Sequence, residues 1–290
     1  MSVEASETQL AALRGGDPTE RIALVRLLHV NEPGAYARWL ATLDAAVQAA
    51  GGRRVYRGAV DAVLLGGGAL ADELLIDEFP SRELAAESLR NANPHAESAL
   101  AEAFVLAARP RRLPRLALRV AGLVARLSAA RRPERRAPLP PDSGLRAIDP
   151  LPEVLAAFLE SEAQRPLDVL NLNQHSDRAA YARYGRNTIT QLLRRRAGPI
   201  WMADALSLVV GAASHPLAQP WDEILLVRYP SRGSMLDMLR EPSYQRGLPH
   251  REQGLARAGL VAACPLPRAP GHSVEGPARS IPGGRAGETS

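Results

Sequence analysis

Residues 73–82 read ELLIDEFPSR, and residues 223–232 read EILLVRYPSR. Each stretch is an apolar run of strand length that ends at Pro-Ser, and serine is a favoured N-cap for a following helix. The same strand-to-helix junction therefore occurs twice in the chain, at an offset of 150. This pair predicts an internal duplication.

Further matches lie on both sides of this junction in the same order. AYAR at 35–38 recurs at 180–183, at an offset of 145, and PH at 94–95 recurs at 249–250, at an offset of 155. Collinear blocks of this kind are typical of a tandem repeat. We therefore expect a first repeat at 1–110, a linker region at 111–148, a second repeat at 149–265 and a disordered tail at 266–290.

Each repeat has the same order of expected elements after a short first helix. A strand, a helix with an apolar period near 3.6, two strands, a second helix and a last strand follow in turn. This βαββαβ order is the ferredoxin-like unit, whose helices cover one face of an antiparallel sheet. The other face also needs cover. We predict an α+β fold class, with two ferredoxin-like βαββαβ repeats packed sheet-to-sheet within one chain.

The composition excludes several classes of protein. The chain of 290 residues is 46% hydrophobic and 23% charged, which is a globular composition large enough for two cores. A single cysteine excludes a disulfide framework and a cysteine-based zinc site. The first residues lack the basic and apolar parts of a secretory signal, and no apolar run reaches about 18 residues. We therefore expect a cytoplasmic protein.

Positive charge is concentrated in one segment. The formal net charge is +5, and all 36 basic residues are arginine. Residues 111–136 hold nine of these arginines and a single acid, Glu134, so the rest of the chain is mildly acidic. A nucleic-acid-binding domain needs its basic residues on the folded body. We therefore expect no nucleic-acid partner.

The basic segment contains an amphipathic helix, LPRLALRVAGLVARLSAA at 113–130. We expect its apolar stripe to cover a patch of the protein while the helix links the repeats. The alternative is that the arginine-rich helix, with Arg115, Arg119 and Arg126, lies at a membrane interface. Residues 131–149 are rich in proline and arginine and are expected to form a mobile linker. The stripe consists of Leu116, Val120, Leu123, Val124 and Leu127.

A longer series in the second repeat resembles a known domain family. The segments that carry the resemblance are PLDVLNL (166–172), AYARYG (180–185), WDE (221–223), YPSR (229–232), EPSY (241–244) and HR (250–251) before GL (254–255). Together they are similar to a family of uncharacterised function in the dimeric α/β-barrel superfamily. The resemblance covers about 149–265 and, more loosely, about 4–110. It implies an intramolecular dimeric α/β barrel.

The resemblance implies no established reaction. The superfamily includes cofactor-free monooxygenases, isomerases, polyketide cyclases and haem proteins, and a fold does not select among them. The first repeat also departs from the series, because it has Arg26 at the position of Asn171 and Ala96 at that of Arg251. We therefore expect any site mainly in the second repeat.

Two asparagines lie in the first strand of the second repeat. Strand alternation puts Asn171 and Asn173 on one face and Leu170 and Leu172 on the other. If the leucines pack on the helices, the asparagines point into the barrel, where buried amides need partners. We predict a polar cavity there, with Asn171 as a catalytic and Asn173 as a substrate-binding candidate. The alternative is that both amides bond to neighbouring backbone or to the other repeat.

Other polar residues of the second repeat are candidates for the same cavity. His250 and Arg251 would supply acid–base chemistry or hold an anionic substrate, and the alternative for both is a structural role at a helix end. Arg228 lies among apolar strand residues and is either a binding residue or part of a cross-sheet ion pair. The aromatic candidates for substrate binding, with core packing as their alternative, are Tyr184, Trp201 and Tyr244.

The function expected from these features is that of a small-molecule enzyme or binder in specialised metabolism. The reaction classes in view are cofactor-independent oxygenases, isomerases and cyclases. The alternative is a non-catalytic interaction protein that docks on a membrane surface or a partner through the helix at 113–130. The six histidines lack metal-ligand spacing, so no cofactor is expected, although the superfamily leaves haem open. We expect a monomer that forms a pseudo-dimer, or a homodimer.

Overall fold

The computed structural model describes residues 3–92, 96–131 and 137–266. Over these ranges the chain has an α+β fold, in which eight antiparallel strands form one closed barrel with helices outside it. No helix in the described ranges is both long and apolar enough to cross a bilayer. The expected disordered tail at 266–290 lies outside the described residues except for Leu266, as does His95.

The strands and helices occur twice in the same order. The first half contains α1 (Glu7–Arg14), β1 (Ile22–Val30), α2 (Pro33–Ala49), β2 (Arg53–Leu65), β3 (Glu73–Phe79), α3 (Arg82–Ala92), α4 (Ala96–Ala99) and β4 (Leu100–Pro110). After α5 (Arg115–Arg131), the second half contains α6 (Pro152–Ser161), β5 (Leu167–His175), α7 (Arg178–Arg194), β6 (Gly198–Val210), β7 (Glu223–Tyr229), α8 (Arg232–Leu239), α9 (Pro242–Gln245), α10 (Leu248–Gly254) and β8 (Leu255–Pro265). Corresponding strands begin and end at offsets of 145, 145, 150 and 155.

Strand pairing joins the two halves into one barrel wall. The strand order is β4-β1-β3-β2 in the first half and β8-β5-β7-β6 in the second. The seams are the antiparallel pairs β2–β8, where Gly58 lies opposite Pro265, and β4–β6, where Pro110 lies opposite Ala203. The two sheets therefore face each other and also share both edges. The edge pairing was not predicted from the sequence.

Strand alternation separates the barrel interior from the layers under the helices. In β1, Val25 and Leu27 join the interior cluster, whereas Leu24 and Leu28 pack under the helices of the first half. The interior cluster draws on both halves, and its members include Val25, Leu27, Phe104, Leu170, Leu172 and Ile224. The sheet faces that lack helices are thus buried against each other.

Capping side chains fix where the helices begin. Ser231 caps α8 by accepting a hydrogen bond from the backbone N–H of Ser234, as the Pro-Ser junction predicts. Asp177 caps α7 and accepts from the backbone N–H groups of Ala179 and Ala180. The hydrogen bond from Ala180 is the main cause that lowers the pKa of Asp177, so the carboxylate stays charged at the positive end of the helix dipole.

The α5 helix packs with the opposite face from the one that the sequence predicts. Its buried positions are Gly122 and Ala125, and it lies against α7. The apolar stripe points outward, with exposures from 54% for Leu123 to 75% for Leu116. The prediction that this stripe covers the protein is therefore wrong. The reason is that small side chains let two helices approach closely, and this leaves the large ones outside.

Residues 137–149, here called the strap, pack against the second half instead of forming a mobile linker. Gln245 Nε2 donates to the carbonyl of Pro138 at 2.8 Å near one end of the strap. At the other end Arg251 donates from Nη1 to the carboxylate of Asp149 and from Nη2 to the carbonyl of Ile148, the latter at 2.6 Å. These anchors come from distant positions in the chain, so the composition of the strap did not reveal them.

Candidate functional site

A cavity of about 240 Å³ lies between the second-half sheet and the helices outside it. We call it the α7 cavity, because α7 forms its roof. Strands β5, β7 and β8 form the floor, helices α8 to α10 form one wall, and the strap closes another. Its volume is slightly below the range of about 300–1,000 Å³ that is usual for ligand pockets. The cavity is therefore suited to a small organic molecule.

The asparagines of β5 point away from the barrel interior, which is the reverse of the expected arrangement. Leu170 and Leu172 belong to the interior cluster, so alternation turns Asn171 and Asn173 toward the helices. The amides therefore face the helix side of the sheet, and Asn171 lines a cavity there, outside the barrel. The physical reason is that aliphatic side chains from both halves fill the interior, where amides would lack partners.

The floor of the cavity presents a free carbonyl oxygen. Asn171 Nδ2 donates to the backbone carbonyls of Val169 at 3.0 Å and Leu225 at 3.2 Å. Within the described part of the chain no donor reaches its Oδ1. The amide is thus held rigidly by the backbone, as the alternative interpretation expected, and its other end remains available to a ligand.

A pair of phenols lies opposite this floor. The hydroxyl oxygens of Tyr184 and Tyr244 are 3.1 Å apart, and their rings meet edge to face at 67°. A phenol carries one proton, so one proton of the pair is used between the two oxygens and the other can be donated outward. Burial raises the pKa of Tyr244 well above its ordinary value. Tyr244 therefore keeps its proton at neutral pH and can donate a hydrogen bond.

The roof leaves open space above the phenols. A Cβ atom added to Gly185 would meet nothing within 4 Å. One turn further along α7, Thr188 Oγ1 is buried and has no hydrogen-bond partner among the described residues. An unpaired buried hydroxyl beside open space is a site that a ligand or water would satisfy.

The same place in the first half is filled. At the offset of 145, Trp39, Leu40 and Leu43 correspond to Tyr184, Gly185 and Thr188, and all three are buried in the first-half core. Arg26, at the position of Asn171, is buried in an ion pair with Asp77. The two halves thus have the same order of strands, but their side chains differ. At this place the first half is filled by buried side chains, whereas the second half contains the α7 cavity.

Arg251 borders the cavity as an anchor of the strap. Its side chain is 11% exposed and is bonded to Asp149 and Ile148, as described above. Its guanidinium therefore fixes the wall of the cavity. The catalytic role considered from the sequence stays a prediction, and the observed contacts are those of the structural alternative.

The structure does not bring three other candidates into the α7 cavity. His250 is half-buried on α10 and does not line it. Trp201 lies in the barrel interior, where its Nε1 donates to Glu78 at 3.0 Å. Arg228 binds Asp168 through two hydrogen bonds of 2.9 and 2.8 Å, the ion pair that the sequence left as an alternative.

Asn173 reaches the cavity through another residue. Its Nδ2 donates at 2.8 Å to the hydroxyl of Tyr181, whose side chain lines the cavity. The sequence reasoning did not single out Tyr181, Gly185 or Thr188. With Tyr184 they have the spacing i, i+3, i+4 and i+7, which defines one helix face, so this pattern was the available signal.

Haem does not fit this site. The described residues that line the cavity include no histidine or cysteine, the commonest axial ligands of haem iron, and offer only the rarer ligands tyrosine and methionine. The volume of about 240 Å³ is also small for a drug-sized ligand, and haem is at least that large. No group of metal-ligating side chains occurs elsewhere in the described ranges.

Comparison with known proteins relates the chain to others at the level of fold. No family model matches the chain, and no curated protein matches its sequence significantly. A solved structure of a chlorite dismutase-like protein has a TM-score of 0.50 and 8% identity, and the match covers 86% of this chain and 96% of that one. The chain has the fold of the dimeric α/β-barrel proteins. At such low identity this likeness shows the fold alone.

Two other solved structures are similar to parts or most of the chain. A protein of unknown function from Rhodopseudomonas palustris is 27% identical, with a TM-score of 0.38, and the match covers 42% of this chain and 98% of that one. A variant of the chlorite dismutase from Candidatus Nitrospira defluvii is 8% identical, with a TM-score of 0.49, and the match covers 87% and 93%.

Proposed function

We propose that this protein binds a small, largely apolar organic molecule in the α7 cavity and acts on it as an enzyme. The observation that carries the proposal is the convergence of free polar groups in a cavity whose lining is mostly apolar. These groups are the outward proton of the Tyr184–Tyr244 pair, the Oδ1 of Asn171 and the unpaired hydroxyl of Thr188. Few, well-placed polar groups in an apolar lining are typical of small-molecule sites.

The polar groups favour a ligand with a carbonyl or phenolic oxygen. The tyrosine pair would donate to that oxygen, and donation from Tyr244 to Tyr184 would strengthen the outward bond. A neutral donor of this kind stabilises negative charge that develops on an enolate oxygen. We therefore propose the isomerases, cyclases and cofactor-independent oxygenases that act through an enolate-like state as the enzyme classes to test.

We infer that the two halves arose by tandem duplication of one ferredoxin-like unit. The support is that corresponding strands have equal lengths and collinear offsets of 145 to 155, and that the strand order in each half matches. Because β2–β8 and β4–β6 close the barrel within the chain, we also propose that the protein is a monomeric pseudo-dimer. Native mass spectrometry at micromolar concentration is expected to show one chain per particle.

Binding of simple probes tests the proposed site. Calorimetric titration with 1-naphthol, 1-tetralone and naphthalene compares ligands of similar size with and without an oxygen atom. We expect the wild type to bind both oxygenated probes more tightly than naphthalene. Tyr184→Phe is expected to weaken binding of the oxygenated probes by roughly fivefold, which corresponds to the loss of one hydrogen bond of about 1 kcal/mol, and to leave binding of naphthalene unchanged.

A matched pair of variants controls for folding. Gly185→Leu places a side chain in the open space and is expected to abolish binding of all three probes without loss of the folded state. Tyr36→Phe makes the same chemical change as Tyr184→Phe, but in the core of the first half, and is expected to leave binding intact. Equal binding by wild type and Gly185→Leu would show that the cavity is not the site.

A further inference from the structure

The outward face of α5 is the main exposed hydrophobic surface of the described chain. Of nine large hydrophobic side chains that are exposed in the described ranges, five belong to the α5 stripe. From Leu116 to Leu127 the stripe runs about 17 Å along the helix axis. Soluble monomers rarely expose contiguous apolar surface of this kind unless it is an interaction site.

The charge beside this stripe has one sign. Residues 112–131 contain five arginines and no acidic residue. Arg112 and Arg119 are exposed, whereas Arg111 is engaged in ion pairs with Asp204 and Glu223. A second copy of α5 would bring arginines against arginines. An anionic lipid bilayer matches the helix better than a second copy does. Its interior is apolar, like the stripe, and its headgroups carry the negative charge that would pair with the arginines.

The attachment of α5 suits docking without rearrangement. Gly122 and Ala125 hold the helix against α7, so the stripe already faces away from the protein. A helix in this position can lie in the bilayer plane with its apolar side chains about 5–10 Å into the headgroup and acyl boundary. Each arginine near an anionic surface adds electrostatic attraction to the membrane.

We propose that α5 docks this protein peripherally on anionic membranes through Leu116, Val120, Leu123, Val124 and Leu127. The proposal does not depend on the proposed function, because neither the stripe nor the arginines line the α7 cavity. The proposed docking surface and the α7 cavity are nevertheless close to each other in the fold. The helix that anchors α5 is also the roof of the cavity, so docking would hold the cavity near the phase in which apolar molecules concentrate.

Vesicle flotation of the full chain tests the docking. With vesicles of equal parts phosphatidylcholine and phosphatidylglycerol at low salt, we expect the protein to float. With phosphatidylcholine alone, or at high salt, we expect the floated fraction to fall several-fold, since screening weakens the attraction of exposed charges. Failure of the wild type to float with anionic vesicles at low salt would overturn the proposal.

Two sets of variants separate the apolar and the charged contributions. The triple variant Leu116→Gln, Leu123→Gln and Leu127→Gln is expected to lose at least tenfold in vesicle affinity with an unchanged thermal midpoint, because all three side chains are exposed. The matched control Leu70→Gln with Val154→Gln changes exposed hydrophobic residues elsewhere and is expected to float like the wild type. Arg112→Gln with Arg119→Gln is expected to lose the preference for anionic lipid.

The same variants also test whether the α5 stripe binds a second copy of the chain instead of a membrane. If the triple variant floats as well as the wild type, the stripe is not the docking surface. If the wild type does not float but is a dimer in native mass spectrometry that the triple variant converts to monomer, the stripe binds a second copy of the chain, and the membrane proposal is wrong.

Discussion

At the scale of single residues, the contrast between Gly185 and Leu40 distinguishes the α7 cavity from the filled place that corresponds to it in the first half. Both occupy the same place in a 17-residue helix, α7 or α2. Glycine inside a helix costs about 1 kcal/mol relative to alanine, because it loses more backbone entropy on folding. In this chain the unfavourable glycine, Gly185, lies where a larger side chain would fill the α7 cavity.

Gly185→Ala is therefore expected to stabilise the protein. The added methyl group meets no atom within 4 Å, so only the gain in helix propensity of about 1 kcal/mol should appear. Urea unfolding followed by circular dichroism measures the change. A lower unfolding free energy in Gly185→Ala than in the wild type would contradict the open space above the cavity.

His215 makes stability depend on pH. Its Nδ1 accepts the backbone N–H of Leu217 at 3.0 Å, and its ring stacks on Phe104 at 4.7 Å. Burial lowers the pKa of His215, so the unfolded chain binds this proton more readily than the folded one. Stability is therefore expected to fall as the pH drops below about 6.5 toward the lowered pKa.

Urea unfolding at about pH 7.5 and about pH 5.5 measures this dependence. The wild type is expected to lose stability at the lower pH. His215→Asn keeps an acceptor but cannot gain the proton, so its loss should be smaller, even if it is less stable at both values. His175 keeps part of the dependence in both proteins, because burial also lowers its pKa. An equal loss in wild type and variant would contradict the role of His215.

At the scale of elements, periodicity predicted the strands and helices better than their orientation. Alternation in β5 divides the residues into two faces, but it does not say which face meets the helices, and Asn171 was assigned to the wrong one. In α5 the periodicity identifies the apolar stripe, yet the helix packs through Gly122 and Ala125. In both cases a partner from elsewhere in the chain decides the orientation, and a local pattern carries no information about that partner.

The candidate site shows the same limit. Asn171, Tyr184 and Tyr244 were identified because polar and aromatic residues are conspicuous in an aliphatic repeat. Gly185 and Thr188 were missed, since neither residue type suggests chemistry on its own. His250 was chosen for its imidazole, but within α10 it does not line the cavity. The sequence thus indicated some of the residues that carry polar groups, but it did not indicate which side chains meet in one cavity.

The strap depends on Arg251 for its position, and this predicts a local change in Arg251→Gln. Without the guanidinium, the carboxylate of Asp149 and the carbonyl of Ile148 lose their partner. We expect a loss of roughly 1–3 kcal/mol in stability, below the range for fully buried pairs because Asp149 is 27% exposed. Trypsin should then cleave after the exposed Arg146 at least several-fold faster.

Mass spectrometry of the tryptic fragments measures cleavage at Arg146 separately from other sites. Arg246→Gln removes an exposed arginine close by in the chain and serves as the matched control, with cleavage expected at the wild-type rate. If Arg251→Gln and the control are cleaved alike, the ion pair does not hold the strap.

At the scale of the whole molecule, the two seams make the halves one folding unit. Strands β2–β8 and β4–β6 pair across the halves, and the interior cluster draws on both. Separating the halves would expose two strand edges and an apolar sheet face in each. The molecule is thus expected to unfold in one step, although the same order of strands occurs in each half.

Chemical denaturation followed by two probes tests this cooperativity. Trp39 reports on the first-half core, whereas Trp201 and Trp221 report on the barrel interior. The transition measured by tryptophan fluorescence is expected to coincide with that measured by far-ultraviolet circular dichroism. Two separated transitions would show that the halves are independent domains. As a further check, a fragment of residues 1–112 is expected to lack a cooperative transition.

Closure of the barrel within a single polypeptide removes a constraint that symmetry imposes on paired subunits. In an assembly of two identical chains, every mutation is introduced at both symmetry-related places at once. In one continuous chain, a leucine can plug one compartment while a glycine keeps its counterpart vacant. Mutations can then be selected for stability in one half and for ligand binding in the other. A homodimer cannot separate the two in this way, because its subunits have the same sequence.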